Sequence, residues 1–175
     1  ISPDDEPAAI AAKLAAQEID AIEKTARGLD ASALDRVALA LVAARHIDLF
    51  GQAASSLTAQ DLQQKLARIG CSAAHSADPH LAVTTASLRS SQDVVIGFSH
   101  GGETAEVVRA LEVGRDAGAL SVAITSAGDS TLALAADIAL LTHAQESPFR
   151  MAAMSSRIAQ LALTLERLRW LPPPP

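Results

Sequence analysis

The sequence predicts an α/β fold, a doubly wound five-stranded parallel sheet with helices on both faces. Short β-branched apolar runs alternate with segments whose apolar residues recur at helical spacing, which is typical of parallel sheets. The run Val94–Ile96 shows no polar alternation, as expected of a strand buried on both faces. Gly28, Gly70 and Gly118 each follow a helical segment, where glycine commonly ends a helix.

Two helices are expected before the first strand. The first covers about residues 7–27, with Pro7 in its first turn, where proline is favoured. The second begins at Asp30 or Ser32. We therefore divide the chain into an N-terminal helical segment at 1–29, a main domain at 30–171 and a disordered proline-rich tail at 172–175.

The remaining elements alternate regularly along the chain. Strands are predicted at 46–50, 71–75, 93–98, 120–125 and 138–141. Helices are predicted at about 57–69, 79–88 and 105–118, in a short segment from 131, and from Pro148 to about Trp170. Right-handed connections between these strands give a flavodoxin-like order, 2-1-3-4-5.

A turn rich in glycine and hydroxyl groups follows the third strand. It contains Ser99, Gly101, Gly102 and Thr104 and leads directly into a helix. The first N–H groups of a helix lack internal partners, and glycine allows a close approach of the backbone. Such a turn can hold a phosphate or another small anion. The alternative, an ordinary strand-to-helix turn, stays open on this stretch alone.

A second turn of small residues, 51–56, follows the first strand. In the order 2-1-3-4-5, the first and third strands are neighbours at the point where the strand order reverses. Ligands of doubly wound sheets bind outside the carboxyl ends of the strands at this point. The two turns are therefore expected to border one crevice.

Composition excludes several classes of function. The net charge is −6 and no basic run is present, so a DNA-binding surface on this chain is not expected. The single Cys71 excludes an internal disulfide or a multi-cysteine zinc site, and we expect it to be buried and reduced. His46, His75 and His143 have no spacing typical of metal ligands, so no metal site is expected, and we assign no cofactor. No run suits a membrane span or a signal peptide.

The two turns resemble motifs of the sugar isomerase (SIS) domain. Residues 99–104, Ser-His-Gly-Gly-Glu-Thr, resemble the S-x-S-G-x-T phosphate loop of that family, and residues 51–55 resemble its G-x-G-x-S turn. The resemblance covers about residues 30–170. Two positions depart from the family pattern, because Ala53 replaces a glycine and Gly101 replaces a serine. Losing one hydroxyl costs about 10-fold in affinity, so a ligand without phosphate also stays open.

Three further stretches resemble the effector domain of RpiR-type transcription regulators. These are residues 65–70, residues 78–80 and the segment from Glu146 to Leu161. In such regulators a helix-turn-helix domain precedes the SIS domain. The chain starts at Ile1 rather than at methionine, and we expect it to be a fragment that contacts DNA only through that absent domain.

The resemblance implies a sugar-phosphate site. The residues predicted to form it are Ser55, Ser56, Ser99, His100, Gly101, Gly102, Thr104 and Glu146. Glu146 could bond a sugar hydroxyl or interact with the N-terminus of the following helix.

Three functions follow from these residues. The first is a cytoplasmic sensor, a homodimer or homotetramer, in which a sugar phosphate shifts the arrangement of subunits. The second is an aldose–ketose isomerase with an enediol route, for which Glu146 and His100 are the candidate catalytic groups. The third is a dimerisation module whose ligand site has decayed. We favour the sensor, because no pair of titratable residues is clearly assigned to catalysis.

Overall fold

The computed structural model describes residues 5–144 and 154–168. Its strands are β1 (His46–Gly51), β2 (Ala73–Ser76), β3 (Asp93–Phe98), β4 (Leu120–Thr125) and β5 (Ile138–Leu141). Its helices are α1 (Pro7–Gly28), α2 (Ala31–Ala43), α3 (Ala53–Arg68), α4 (Pro79–Ala86), α5 (Ala105–Asp116), α6 (Thr131–Ala135) and α7 (Met154–Leu168).

The five strands form one sheet in the order β2-β1-β3-β4-β5, and every neighbouring pair is parallel. This confirms the predicted fold class and strand order. The central pairing of β1 with β3 places Leu49 beside Ile96 and Gly51 beside Phe98. The carboxyl ends of these two strands therefore lie side by side at the switch point.

Each face of the sheet is covered by its own apolar layer. On one face, α2, α3 and α7 pack on strand residues such as Leu49 and Ile96. On the other face, α4, α5 and α6 pack on Phe50 and Val95. All six residues of β3 are buried, as expected of a central strand covered on both sides.

Helix α1 lies outside the sheet and packs against α7. Ser155 Oγ donates a hydrogen bond to Glu18 Oε1 at 3.0 Å. Near the other end of α1, the backbone N–H of His143 donates to Thr25 Oγ1 at 2.9 Å. These contacts attach the N-terminal helix to the segments on both sides of the stretch 145–153.

The main difference from the predicted elements concerns the start of α3. The prediction began this helix at residue 57, but it begins at Ala53. The N–H groups of Ser55 and Ser56 both donate to Gln52 O, so the small residues form the first helical turn and not a connecting loop. Gln52 makes no side-chain cap, and the sequence therefore lacks the usual signal for a helix start here. Smaller boundary shifts occur at β2 and at the end of α4.

Two buried aspartates lie at or near the amino ends of the central strands, away from the switch point. Asp93 accepts hydrogen bonds from the Arg45 guanidinium and from both Ser90 N and Oγ. Asp48 pairs with Arg89, with Nε 2.6 Å from Oδ2. Burial opposes ionisation of Asp93, but the bonds from Arg45 and Ser90 outweigh it and lower the pKa of this carboxyl.

The expectation that Cys71 is buried is confirmed. Cys71 is a free, buried cysteine, and burial raises the pKa of its thiol. None of the helices in the described ranges has both the length and the apolar character needed to cross a lipid bilayer. The helix predicted from Pro148 is described from Met154 onward, and Pro148 itself lies outside the described residues.

Candidate functional site

An open cleft of about 330 Å³ lies at the carboxyl ends of β1 and β3. Three segments form its walls: the N-terminus of α3, the loop between β3 and α5, and α7. The lining residues are Gln52, Ala53, Ala54, Ser55, Ser99, His100, Gly101, Thr104, Ser156, Arg157 and Gln160. The cleft therefore occupies the position that the strand order predicts for a ligand site.

The β3–α5 loop, residues 99–104, places two hydroxyl groups on the cleft. Ser99 Oγ lies 2.8 Å from Thr104 Oγ1, and Ser99 is 4% exposed. The loop turns tightly because Gly102 N donates to Ser99 O at 3.1 Å, and Gly102 has a positive φ of 71°. A side chain at Gly102 would meet Ser130 Oγ at 2.0 Å, so glycine is required for both conformation and space.

The last residue of β4 and the segment that follows this strand hold the loop in place. The carbonyl oxygen of His100 accepts hydrogen bonds from Ser126 N, Ser126 Oγ and Thr125 Oγ1 at 2.8, 2.8 and 3.0 Å. The Glu103 carboxylate accepts bonds from the hydroxyl and the backbone N–H of Thr131, which lower the pKa of Glu103. The shape of the loop is therefore fixed by hydrogen bonds within the protein itself.

The helices that follow strands differ in how their N-termini are capped. Asp78 caps α4 and Ser130 caps α6, each through a side-chain oxygen. By contrast, α3 and α5 have no side-chain cap. The hydroxyl of Thr104, the N-cap residue of α5, bonds Ser99, and the Gln52 amide donates to Ala77 O at 2.9 Å. Among the helices α3 to α6, the two without a side-chain cap are thus the two that border the cleft.

The start of α3 is conformationally strained. Ala53 has φ 49°, in the left-handed region that glycine adopts more easily. This is the residue that replaces the second glycine of the SIS-like turn. The first glycine, Gly51, is required for space, since a Cβ there would lie 2.8 Å from Ser55 O. Strained backbone is often found at functional sites, where the surrounding structure enforces it.

Helix α7 contributes a wall that the sequence-based site prediction missed. Ser156, Arg157 and Gln160 line the cleft, and Ser156 and Gln160 are 3% and 1% exposed. A signal for them existed, because residues spaced by three or four positions share one face of a helix. That spacing does not reveal toward which part of the protein the face is directed.

The predicted site residues divide into three groups. The structure brings together Ser55, Ser99, His100, Gly101 and Thr104 around the cleft. Gly102 and Ser56 are not among the lining residues. Gly102 packs against Ser130, and Ser56 Oγ lies 3.1 Å from His75 Nε2. Burial lowers the pKa of His75. Glu146 lies outside the described residues, so its predicted role stays a prediction.

The electrostatics of the cleft favour an anion. Its described lining includes the cation Arg157 and no carboxylate. Two helix N-termini add partial positive charge at the same place. Within residues 5–144 and 154–168, no group of three or more His, Cys, Asp or Glu side chains is arranged to hold a metal ion.

Fold and cleft together define a doubly wound α/β domain with an open polar cleft at its topological switch point. The chain belongs to the SIS domain family, whose model matches residues 40–165.

Its relatives include HTH-type transcriptional regulators. The chain is 39% identical over 163 residues to an uncharacterized regulator of Caldanaerobacter subterraneus subsp. tengcongensis, covering 93% of this chain and 58% of that protein. It is 35% identical to an uncharacterized regulator of Haemophilus influenzae, covering 92% and 56%, and 33% identical to YbbH of Bacillus subtilis, covering 87% and 54%. The chain thus spans a little over half the length of these relatives.

Solved structures share the fold. The Vibrio vulnificus NanR protein complexed with ManNAc-6P has a TM-score of 0.88 at 28% identity, over 93% of this chain and 61% of that one. The sugar isomerase domain of the RpiR transcription factor from Sphaerobacter thermophilus has a TM-score of 0.82 over 90% of this chain and 87% of that one. Its 19% identity supports a common fold alone.

Proposed function

We propose that this chain is the effector-sensing SIS domain of an RpiR-type transcriptional regulator and that its cleft binds a phosphosugar. The observation that carries the proposal is the capping pattern. The N-termini of α3 and α5 border the cleft without side-chain caps, whereas α4 and α6 are capped. N-terminal N–H groups that no side chain caps can bind the oxygens of an anion.

Three sets of groups act on the phosphate in this proposal. Backbone N–H groups of the β3–α5 loop and of the first turn of α5 donate to its oxygens. Ser99 and Thr104 supply hydroxyl donors at the same end of the cleft. Arg157 adds positive charge from α7. The similarity to NanR, whose structure contains ManNAc-6P, supports a sugar phosphate as the ligand class.

Sensing requires that the ligand prefer one arrangement of the protein. A phosphosugar changes DNA affinity only if it binds one arrangement of subunits more tightly than the other. In the proposed regulator, a helix-turn-helix domain outside this chain contacts DNA. The SIS domains form a homodimer or homotetramer in the cytoplasm. The relatives named as HTH-type regulators, which are longer than this chain, support a helix-turn-helix domain outside it.

An isomerase is the competing function, and the cleft offers little for it. Enediol chemistry needs a base placed at the carbon acid. Among the lining residues that the structure describes, His100 carries the one imidazole, and none is a carboxylate. Glu146, the candidate base from the sequence, lies outside those residues. We therefore propose binding without turnover.

Calorimetry tests the proposal. The folded chain is titrated with ManNAc-6P, arabinose 5-phosphate and glucose 6-phosphate, and with the corresponding sugars without phosphate as controls. We expect binding of at least one phosphosugar and none of its unphosphorylated counterpart. Failure of every phosphosugar to bind a folded protein contradicts the proposal and favours a decayed site. Turnover in a coupled isomerase assay that Glu146→Gln abolishes would establish the enzyme.

A further inference from the structure

Gln160 is a buried polar residue on the side of α7 that borders the cleft. It is 1% exposed, and its neighbours on the inward side of the helix, Ala159 and Leu163, are 0% and 2% exposed. Burying an amide is unfavourable unless hydrogen bonds compensate for the lost water. An apolar residue of the same size would pack here at a lower cost, so packing alone does not explain glutamine.

The hydrogen bond that Ser55 offers Gln160 is weak. Gln160 Nε2 lies 3.5 Å from Ser55 Oγ, beyond the usual range for an N–H···O bond. An amide carries two donor hydrogens and an acceptor oxygen, so this contact uses a small part of its capacity. Because Gln160 lines the cleft, its amide is placed where it can bond a ligand.

The size of the cleft leaves room for more than an anion. At about 30 Å³ per water-sized group, a volume of about 330 Å³ holds roughly ten such groups. A phosphate ion fills part of this space. The remainder, along α7 and the start of α3, is bordered by neutral hydrogen-bonding side chains, including Gln52, Ser55 and Gln160.

We infer that Gln160 is a specificity-determining residue, which recognises a hydroxyl or carbonyl group on the uncharged part of the ligand while the β3–α5 loop holds the phosphate. This inference rests on the proposed function. A neutral amide adds no charge to the cleft. Gln160 therefore affects which sugar binds, and it does not change the electrostatic attraction between the cleft and the phosphate.

Gln160→Met tests the inference, because methionine keeps the length and volume but removes the hydrogen-bonding atoms. Affinity is measured for inorganic phosphate and for whichever of ManNAc-6P, arabinose 5-phosphate and glucose 6-phosphate binds the wild type most tightly. We expect the phosphosugar affinity to fall about 10-fold, the effect of one hydrogen bond, and the phosphate affinity to change less than about twofold.

Ser155→Ala is the matched control, since Ser155 lies on α7 but its hydroxyl bonds Glu18. It should change neither affinity. Circular dichroism checks that each variant is folded. If Gln160→Met does not fold, Gln160→Asn replaces it, because asparagine keeps the amide but shortens the side chain. Equal losses for both ligands, or no loss for either, overturn the inference.

A double-mutant cycle with Ser55→Ala separates recognition from mere positioning of Ser55. If Gln160 contacts the ligand, Gln160→Met still weakens phosphosugar binding in the Ser55→Ala background. If it acts only through Ser55, the second substitution adds nothing and the inference fails. A wild-type protein that binds phosphate but no phosphosugar also overturns it. A protein that binds neither overturns the proposed function itself, together with the inference that rests on it.

Discussion

Ser99 Oγ and Thr104 Oγ1 lie 2.8 Å apart, so the hydroxyls at the two ends of the β3–α5 loop face each other across the loop. Ser99 is almost fully buried, and the His100 carbonyl between them accepts three hydrogen bonds, one from Thr125 at the end of β4 and two from Ser126. A loop held in its binding conformation by such bonds loses little entropy when a ligand arrives. The proposed anion site is therefore preorganised.

Ser99→Ala should weaken phosphosugar binding by about 10-fold to 100-fold, the range for a hydrogen bond to a charged group. Calorimetry on the variant and on the wild type measures the change. Ser87→Ala provides the control, because the Ser87 hydroxyl bonds Thr84 O on α4, which does not line the cleft. An unchanged affinity in Ser99→Ala would exclude this hydroxyl from the site.

The adjacent glycines of the loop should respond in opposite ways to substitution. Gly102→Ala forces a left-handed residue against Ser130 and should lower the free energy of unfolding by more than about 2 kcal/mol. A Cβ at Gly101 would meet no heavy atom within 4 Å, so Gly101→Ser should fold normally. It also restores the hydroxyl of the SIS motif and should strengthen phosphosugar binding up to about 10-fold.

Urea unfolding and calorimetry on the two glycine variants test this contrast. Equal stability of Gly102→Ala and the wild type would show that the loop relaxes easily, against the packing described for Ser130. Weaker binding by a folded Gly101→Ser would place the phosphate elsewhere in the cleft.

Ala53→Gly should stabilise the protein, although glycine at the start of a helix usually does not. Relief of a left-handed alanine contributes about 1–2 kcal/mol, while the greater freedom of glycine in the unfolded chain costs about 0.5–1 kcal/mol. The expected net gain is about 0.5 kcal/mol. Ala53→Val should be destabilising, because β-branched residues fit this conformation poorly. Thermal unfolding of both variants and of the wild type measures these changes in stability. An Ala53→Gly variant less stable than the wild type would contradict the prediction.

The sequence was sufficient for the fold because β3 and its neighbours carry local signals that agree with one another. An apolar strand buried on both faces, followed by glycines and an amphipathic helix, permits few arrangements other than a parallel sheet. Where local signals were weak, the prediction failed. The start of α3 has no side-chain cap at Gln52, and its small residues 53–56 were interpreted as a turn.

The site could be predicted only in part, for a similar reason. Ser55, Ser99 and Thr104 follow strands that are neighbours in the sheet, so topology alone brings them to one edge. Arg157 and Gln160 reach the same cleft from a helix far along the chain. Their direction is determined by the packing of α7 on α1 and α3, which no local pattern encodes.

Stability should depend on pH through Asp93. Its bonds with Arg45 and Ser90 lower the folded-state pKa below that of the unfolded chain, whose Asp pKa is about 3.9. The stabilisation is therefore present above pH of about 4 and is lost as the pH falls through the folded-state pKa. Asp93→Asn should lower the free energy of unfolding at neutral pH, and this deficit should shrink below pH of about 4.

Urea unfolding of the wild type and of Asp93→Asn between pH of about 7 and pH of about 3 measures this deficit. The exposed Asp116 provides the matched control, since Asp116→Asn should change the stability by less than about 0.5 kcal/mol. A deficit that stays constant over the whole range would show that the ionised form of Asp93 is not what stabilises the fold.

Arg157→Gln should weaken the binding of every anion, in contrast to Gln160→Met. Arg157 provides the positive charge among the described lining residues, so its loss should reduce the affinity for phosphosugar and inorganic phosphate alike, by about 10-fold. The loss should be larger at low salt, because ions screen the interaction. Arg157→Lys keeps the charge and should retain part of the affinity.

Arg109→Gln is the control for this prediction. It removes an exposed arginine of α5 that lies 3.9 Å from Glu112, and it should leave both affinities unchanged. A selective loss of phosphosugar binding in Arg157→Gln would instead assign this residue to the sugar.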